Sequence, residues 1–169
     1  MSEIENTEVK ELIDAGTEEK APPKSARRRA REFALQGLYQ WRVGSADEAG
    51  IEAHLPELEG FGKADRDLCF GLIRGVMRQQ EELIALVSEC IDRSFKELSP
   101  VEACILLLGT HEFRAYPETP YRVIINEMIE LAKSFGGTDG HKYVNGVLDR
   151  LAATQRPIEV DARKKGSKV

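Results

Sequence analysis

The stretch SPVEACILLLGTHEF, residues 99–113, decides the fold class because it joins a helix start signal to a long apolar run. Ser99 stands at the N-cap position, Pro100 at the first helical position and Glu102 at the third, which is the pattern of a capping box with the proline that helix starts favour. The apolar run predicts a helix that continues to about residue 115, where Tyr116-Pro117 ends it. This is the strongest helix signal in the sequence.

The chain on both sides of this helix continues the helical pattern. From Ser25 to about Thr154 apolar residues recur with helical spacing, and no apolar–polar alternation is long enough for a strand. We therefore predict an all-α fold, a compact bundle of six or seven short helices. The predicted segments are Ser25 to about Val43, a weaker one over 46–57, Asp65 to about Arg93 with a break near Gln79-Gln80, Ser99 to about Ala115, Thr119-Pro120 to Gly136-Gly137, and Thr138 or Asp139 to a point before Pro157.

Charge is segregated along the chain. The 169 residues carry a formal net charge of −5 at pH 7, and all of that net charge lies in residues 1–23. This segment is polar, rich in Glu and ends in Pro22-Pro23, so we expect an acidic disordered extension over 1–23. The helical domain is expected over 24–157 and a basic flexible tail over 158–169. The basic residues of that tail are Arg163, Lys164, Lys165 and Lys168.

Composition and motifs exclude several classes of protein. Hydrophobic residues make up 41% of the chain, enough for a core, yet no stretch approaches the roughly 18 apolar residues of a membrane helix. The three cysteines form no CxxC pair, and the sequence contains neither a phosphate-binding glycine loop nor a histidine metal motif. We therefore expect a reduced, cytoplasmic protein that is not an enzyme, with no cofactor, metal or membrane contact.

The first helix carries more positive charge at its start than folding alone requires. Its basic residues are Arg27, Arg28, Arg29 and Arg31. The helix dipole is positive there too, so each charge costs a few tenths to about 1 kcal/mol, and a bound polyanion would reverse that penalty. Tyr39 and Gln36 lie on the same polar arc, where a ring can stack on an unpaired base and an amide can bond a base edge. A solvated basic helix start with a half-buried tyrosine fits the charge pattern equally well.

A second candidate site lies at the start of the last predicted helix, in DGHKYVN, residues 139–145. Asp139 stands at the helix start, with Lys142 and Tyr143 one turn in. The free backbone N–H groups of a first turn can bind an anion. An ordinary helix cap with a core tyrosine is the simpler interpretation, and the pattern alone favours it.

Three blocks of the sequence carry a resemblance to a known family. They are ARRRAREFALQGLYQW at 26–41, SPVEACILLLGTHEF at 99–113, and PYRVIINEMIELAKSFGGTDGHKYVNGVLDRLA at 120–152. Together they resemble the NusB family of bacterial transcription antitermination factors, over most of the chain. The resemblance implies two small helical subdomains that bind the boxA element of single-stranded nascent RNA. It also implies a small-subunit ribosomal protein acting as NusE as partner, within the transcription elongation complex on ribosomal RNA operons; a homodimer is left open.

The resemblance assigns roles to the residues singled out above. The arginines of the first helix and Tyr39 correspond to the family's RNA face, and Asp139, Lys142 and Tyr143 to its second half, although Phe is commoner at position 143. Glu102 matches a position on the surface for the ribosomal protein. The chain departs from the family in its acidic extension, which we hypothesise screens the RNA site, in Gly37 and in its basic tail. The alternative function is a helical protein–protein adaptor whose arginines only confer solubility.

Overall fold

A computed structural model describes residues 24–166, and in this range the chain forms eight α-helices, three short 3₁₀ helices and no strand. The α-helices are α1 (Ala26–Val43), α2 (Glu48–His54), α3 (Arg66–Arg78), α4 (Gln80–Ser88), α5 (Pro100–Ala115), α6 (Tyr121–Phe135), α7 (Gly140–Gln155) and α8 (Pro157–Gly166). The 3₁₀ helices are Leu55–Glu57, Phe61–Lys63 and Phe95–Glu97. The all-α prediction is confirmed, with more helices than the six or seven expected. The predicted extension over 1–23 and the last three residues of the chain lie outside the described residues.

Polar side chains begin several helices where the sequence predicts a start. The Ser25 hydroxyl accepts the backbone N–H of Arg28 at 3.1 Å, and the Asp65 carboxylate accepts that of Leu68 at 3.1 Å. The predicted break at Gln79 separates α3 from α4. The second helix of this segment was expected to reach about Arg93, but α4 ends at Ser88.

The capping box predicted at the start of α5 is only half formed. The Ser99 hydroxyl accepts the Glu102 N–H at 3.2 Å, but no bond runs back from the Glu102 carboxylate to the Ser99 amide. A glutamate does bond back in this way five residues earlier, where Glu97 accepts the Ser94 N–H at 3.0 Å. The Glu102 side chain is therefore not needed for capping, which corrects the sequence-based expectation.

Helix α5 runs through the centre of the molecule. All residues from Ala103 to Phe113 are buried, and α5 contacts α1, α3, α4, α6 and α7. The buried apolar side chains form a single cluster around it, so the division into two subdomains stays a prediction. Within the range that the structure describes, no helix has both the length and the apolar character needed to cross a membrane.

A buried ion pair joins α1 to α5. The Arg31 guanidinium donates to the Glu112 carboxylate at 2.8–3.2 Å, and the two side chains are 4% and 0% exposed. Burial alone lowers the pKa of Arg31, but the hydrogen bonds and charge of Glu112 outweigh it, so that pKa is raised. Arg31 thus lies in the interior with its donors engaged, and we remove it from the predicted RNA-binding residues.

The sequence predicted a flexible tail over 158–169, and within the described residues the chain forms helix α8 (Pro157–Gly166) there. Val160 of α8 is buried, and Arg156, just before α8, is buried as well. The Arg156 guanidinium holds the connection between α5 and α6 by donating to three backbone carbonyls, at 2.7–3.0 Å. These are the carbonyls of Phe113, Tyr116 and Thr119. The sequence showed the charges of this segment but not the buried partners of Arg156.

Helix α6 is capped by a side chain from α8. Glu159 accepts the backbone N–H of Tyr121 at 3.0 Å and also pairs with Arg156. Pro120 occupies the N-cap position of α6 and supplies no side-chain hydrogen bond. The signal at Thr119-Pro120 therefore predicts where α6 begins, but it does not identify the side chain that caps the helix.

Replacing Glu112 with glutamine leaves the Arg31 guanidinium buried without a counter-charge. Removing one partner of a buried ion pair costs about 3–5 kcal/mol, and we expect the free energy of unfolding in urea to fall by that amount. Glu82→Gln is the control, because it breaks the exposed pair with Arg114 at 2.6 Å and should cost less than about 1 kcal/mol. Equal losses in the two variants would contradict the role of the buried pair.

The Glu159 cap should make stability depend on acid pH. Burial raises the pKa of Glu159, but the Tyr121 amide and Arg156 outweigh it, so this pKa lies below its ordinary value of 4.5. A lowered pKa means that the contribution is complete above pH 4.5 and is lost as the pH falls through the folded-state pKa. Thermal melting should therefore separate wild type from Glu159→Gln at pH 7 and bring them together at lower pH. A constant difference between the two would show that ionised Glu159 is not the cause.

Candidate nucleic-acid interface

Acidic side chains of the protein itself pair with much of the positive charge at the start of α1. Arg28 donates to both carboxylate oxygens of Glu127 on α6, at 3.1 and 3.0 Å, and these bonds raise the pKa of Arg28. Lys24 pairs with Glu32 at 2.8 Å, and Arg31 is the buried partner of α5. The expectation that folding gives no reason for the three consecutive arginines of the first turn was therefore wrong for Arg28.

Two arginines of the predicted RNA face are left for an external anion. Arg27 is exposed and Arg29 is half-buried, and neither forms an ion pair with any residue between 24 and 166. Both lie in the first turn of α1. Each guanidinium can therefore offer its hydrogen-bonding fork to a phosphate without breaking an ion pair within residues 24–166.

Tyr39 stands at the rim of an apolar cleft between α1, α5 and α6. Its ring is 41% exposed, as is that of Phe135 at the end of α6. The cleft measures about 260 Å³, which is small for a cofactor and suits a single flat group. It is lined by Leu35, Gln36, Tyr39, Gln40, Val101 and Phe135. The cleft thus combines two rings for stacking with two amides that can bond the edge of a base.

Four of the six lining residues are not among the predicted site residues: Leu35, Gln40, Val101 and Phe135. Gln40 follows Tyr39 on the polar arc of α1, so helical spacing could have added it. Leu35, Val101 and Phe135 read as core residues of their helices, and only the packing of three helices brings them to the cleft.

The second predicted half is less open than the first. Lys142 pairs with Asp139 at 3.4 Å, and both side chains are exposed. The Tyr143 ring is half-buried, with the Arg93 guanidinium 4.8 Å from its centre and its hydroxyl buried without a hydrogen bond in the described part of the chain. Burial raises the pKa of Tyr143. The surroundings of Tyr143 thus fit a packed tyrosine, the simpler of the two interpretations, better than an exposed ring that stacks on a base.

Glu102 lies against the start of α7. A side chain at Gly140 would place its Cβ 2.7 Å from the Glu102 Oε1 atom, so the carboxylate occupies the space that glycine leaves there. Glu102 is half-buried and forms no hydrogen bond or ion pair through its carboxylate within residues 24–166. The positive end of the α7 dipole is therefore already faced by a protein anion, at the position where the sequence predicted phosphate binding.

The start of α5 joins the two predicted halves of the site. Val101 lines the cleft with Tyr39, and its neighbour Glu102 contacts Gly140 at the start of α7. Phe135 lines the same cleft from the end of α6, only a few residues before α7 begins. Residues that are far apart in the sequence are thus brought close together by the start of α5.

The buried thiols and the acidic groups show no metal or nucleophile arrangement in the described residues. Burial raises the pKa of Cys69 to about 12 and that of Cys104 to about 11, so both are protonated at neutral pH. Among residues 24–166 no group of three or more His, Cys, Asp and Glu side chains is placed to hold a metal ion.

Comparison with known proteins gives a family match over most of the chain. The NusB family profile matches residues 28–153. The transcription antitermination protein NusB of Dechloromonas aromatica (strain RCB) is 72% identical over 149 residues, which cover 88% of this chain and 91% of that protein. The protein of the same name from Cupriavidus pinatubonensis (strain JMP 134 / LMG 1197) is 53% identical over 150 residues, 89% of this chain and 90% of that one.

Solved structures agree with this match. NusB of T. maritima superposes with a TM-score of 0.65 at 31% identity, covering 79% of this chain and 92% of that one. A crystal structure of the antitermination factors NusB and NusE in complex with dsRNA shares the fold, with a TM-score of 0.66 at 20% identity, covering 76% of this chain and 97% of that one. The chain therefore belongs to the NusB family of transcription antitermination proteins.

Proposed function

We propose that this chain binds boxA-type single-stranded RNA together with a small-subunit ribosomal protein acting as NusE, and so promotes processive transcription of ribosomal RNA operons. The observation that carries the proposal is the exposed Tyr39 ring at an apolar cleft, on the helix that begins with Arg27 and Arg29. Membership of the family supports it, as does the solved complex of NusB and NusE with dsRNA that shares this fold.

In this proposal the residues of the cleft contact the base, and the arginines of α1 contact the phosphates. Tyr39 and Phe135 stack on an unpaired base, an interaction worth roughly 1–3 kcal/mol per base. Gln36 and Gln40 bond the edge of that base, and Arg27 and Arg29 bind the phosphates on either side of it. Arg28 joins them when a phosphate replaces Glu127 as its partner. Sequence preference then comes from the cleft, and sequence-independent affinity from the arginines.

The second half of the surface serves the RNA and the partner together. Lys142 and Asp139 lie on the exposed first turn of α7, where the lysine can reach a phosphate. Glu102 is a half-buried carboxylate without a cation partner in the described chain, which suits an arginine or lysine of the ribosomal protein. The ribosomal protein would then bind beside the RNA and carry both into the elongation complex.

Binding of a boxA-containing RNA and a scrambled RNA, each with and without the ribosomal protein, tests the proposal. We expect boxA to bind more tightly, most clearly with the partner present. The logarithm of its affinity should fall by about 0.7 per contacted phosphate for each log unit of salt. Equal retention of both RNAs in all conditions would show that the protein binds RNA without sequence preference and would contradict the proposal. Partner binding without RNA binding would favour the adaptor function instead.

Tyr39→Ala should weaken binding of single-stranded RNA by roughly 1–3 kcal/mol, because the stacking platform is lost, while Tyr39→Phe should bind nearly as well as wild type. The measurement is the dissociation constant by fluorescence anisotropy. Val43→Ala is the matched control, since Val43 is exposed near the end of the same helix and does not line the cleft. Wild-type affinity for Tyr39→Ala would remove the stacking role.

A further inference from the structure

We propose that the acidic N-terminal segment, residues 1–23, is a built-in competitor for the RNA face, with its acids against the α1 arginines and its apolar side chains in the cleft beside Tyr39. This inference rests on the function proposed above. It commits the cleft of the free protein to one occupant, a segment of the same chain. Three independent features of the chain support it: charge, apolar content and reach.

The charge of the segment complements that of the surface beside it. Seven acids and two lysines lie in residues 1–23, and the segment joins the described chain directly before α1. Arg27 and Arg29, in the first turn of α1, form no ion pair within the described chain. A tethered anion therefore faces unpaired cations at its own point of attachment, which favours contact at low ionic strength.

The apolar content of the segment complements the cleft. Val9, Leu12 and Ile13 follow one another at the i, i+3 and i+4 spacing that places side chains on one face of a helix. Acids flank this cluster on both sides, at Glu8 and Asp14. The cleft offers an apolar floor and two exposed rings, which would otherwise face water. Covering them with aliphatic side chains removes apolar surface from water on both partners.

The N-terminal segment is long enough to reach the cleft, and its acids and apolar residues follow in the order that the surface requires. Tyr39 lies fourteen residues beyond Ser25, about 21 Å along a helix that rises 1.5 Å per residue. The twelve residue-to-residue steps from Ile13 to Ser25 can span up to about 40 Å when extended. A segment that turns back along α1 therefore brings Glu18-Glu19 to the arginines first and Leu12-Ile13 to the cleft beyond them.

Such a tether sets a threshold for RNA binding. A segment joined by a short linker acts at an effective concentration of the order of millimolar, so even weak docking covers the face for much of the time. RNA then binds with an affinity reduced by the fraction of molecules in which the face is open. A specific RNA with its partner protein overcomes this competition more easily than a nonspecific strand.

The decisive variant keeps the charge of the full chain and removes only the apolar contact. Leu12→Ser with Ile13→Ser should tighten binding of the boxA-containing RNA by about three- to tenfold at low salt, because the open fraction rises. Ile4→Ser is the matched control, since Ile4 lies beyond the cleft in the proposed register, and it should bind like wild type. The same affinity in the double variant and wild type overturns the proposal.

A readout without RNA separates this inference from the proposed function. A benzophenone amino acid in place of Ile13 should cross-link, in the full chain without RNA, to peptides that contain Tyr39 or Phe135. In place of Ile4 it should not cross-link there. If no RNA binds but the cross-link forms, the proposed function fails and the docking stands. If RNA binds tightly and no such cross-link forms, the docking fails and the proposed function stands.

Discussion

The ion pair between Arg31 and Glu112 is the constraint on which the rest of the surface depends. Helix α5 is buried over eleven consecutive residues, so a carboxylate within it has to meet its counter-charge inside the protein. The partner comes from α1, and this contact fixes how α1 is rotated about its own axis. With Arg31 turned inward, Tyr39 lies about 80° further around the helix, at the edge of the buried face, and its side chain is exposed. The charge pair in the core thus acts together with the buried apolar face of α1, which includes Ala30, Ala34 and Leu38, to set which face of the helix is exposed.

The same principle explains why the arginine-rich start of α1 is ambiguous in the sequence. Four arginines lie close together, but two have acidic partners on α5 and α6 and two have none in the described chain. Buried and half-buried pairs specify how helices fit together, whereas unpaired guanidinium groups at the surface can bind a ligand. Folding and the proposed RNA recognition would therefore share one short basic motif, in which the position of the acids separates the two roles.

Local signals predicted the helices well and the long-range contacts poorly. Ser25, Asp65 and Ser99 each begin a helix as expected, because an N-cap depends on residues a single turn away. The cap of α6 was missed because Glu159 reaches it from the other end of the domain. The exposure of Tyr39 followed from helical spacing, whereas Phe135 joined the site only through packing of α6 against α1 and α5. Arg31 was assigned to the RNA face for the same reason, because no residue near it in the sequence indicates that Glu112 is its partner.

The close approach of Glu102 to Gly140 couples two positions that are far apart in the sequence. The carboxylate fills the volume that a β-carbon at position 140 would need. A larger residue at 140 therefore requires the Glu102 carboxylate to turn aside, which a flexible side chain can do. Position 140 is thirty-eight positions after 102. An exchange of Gly140 would thus first be met by a turn of the Glu102 side chain at the start of α5, whereas a smaller residue at 102 would leave open space beside Gly140.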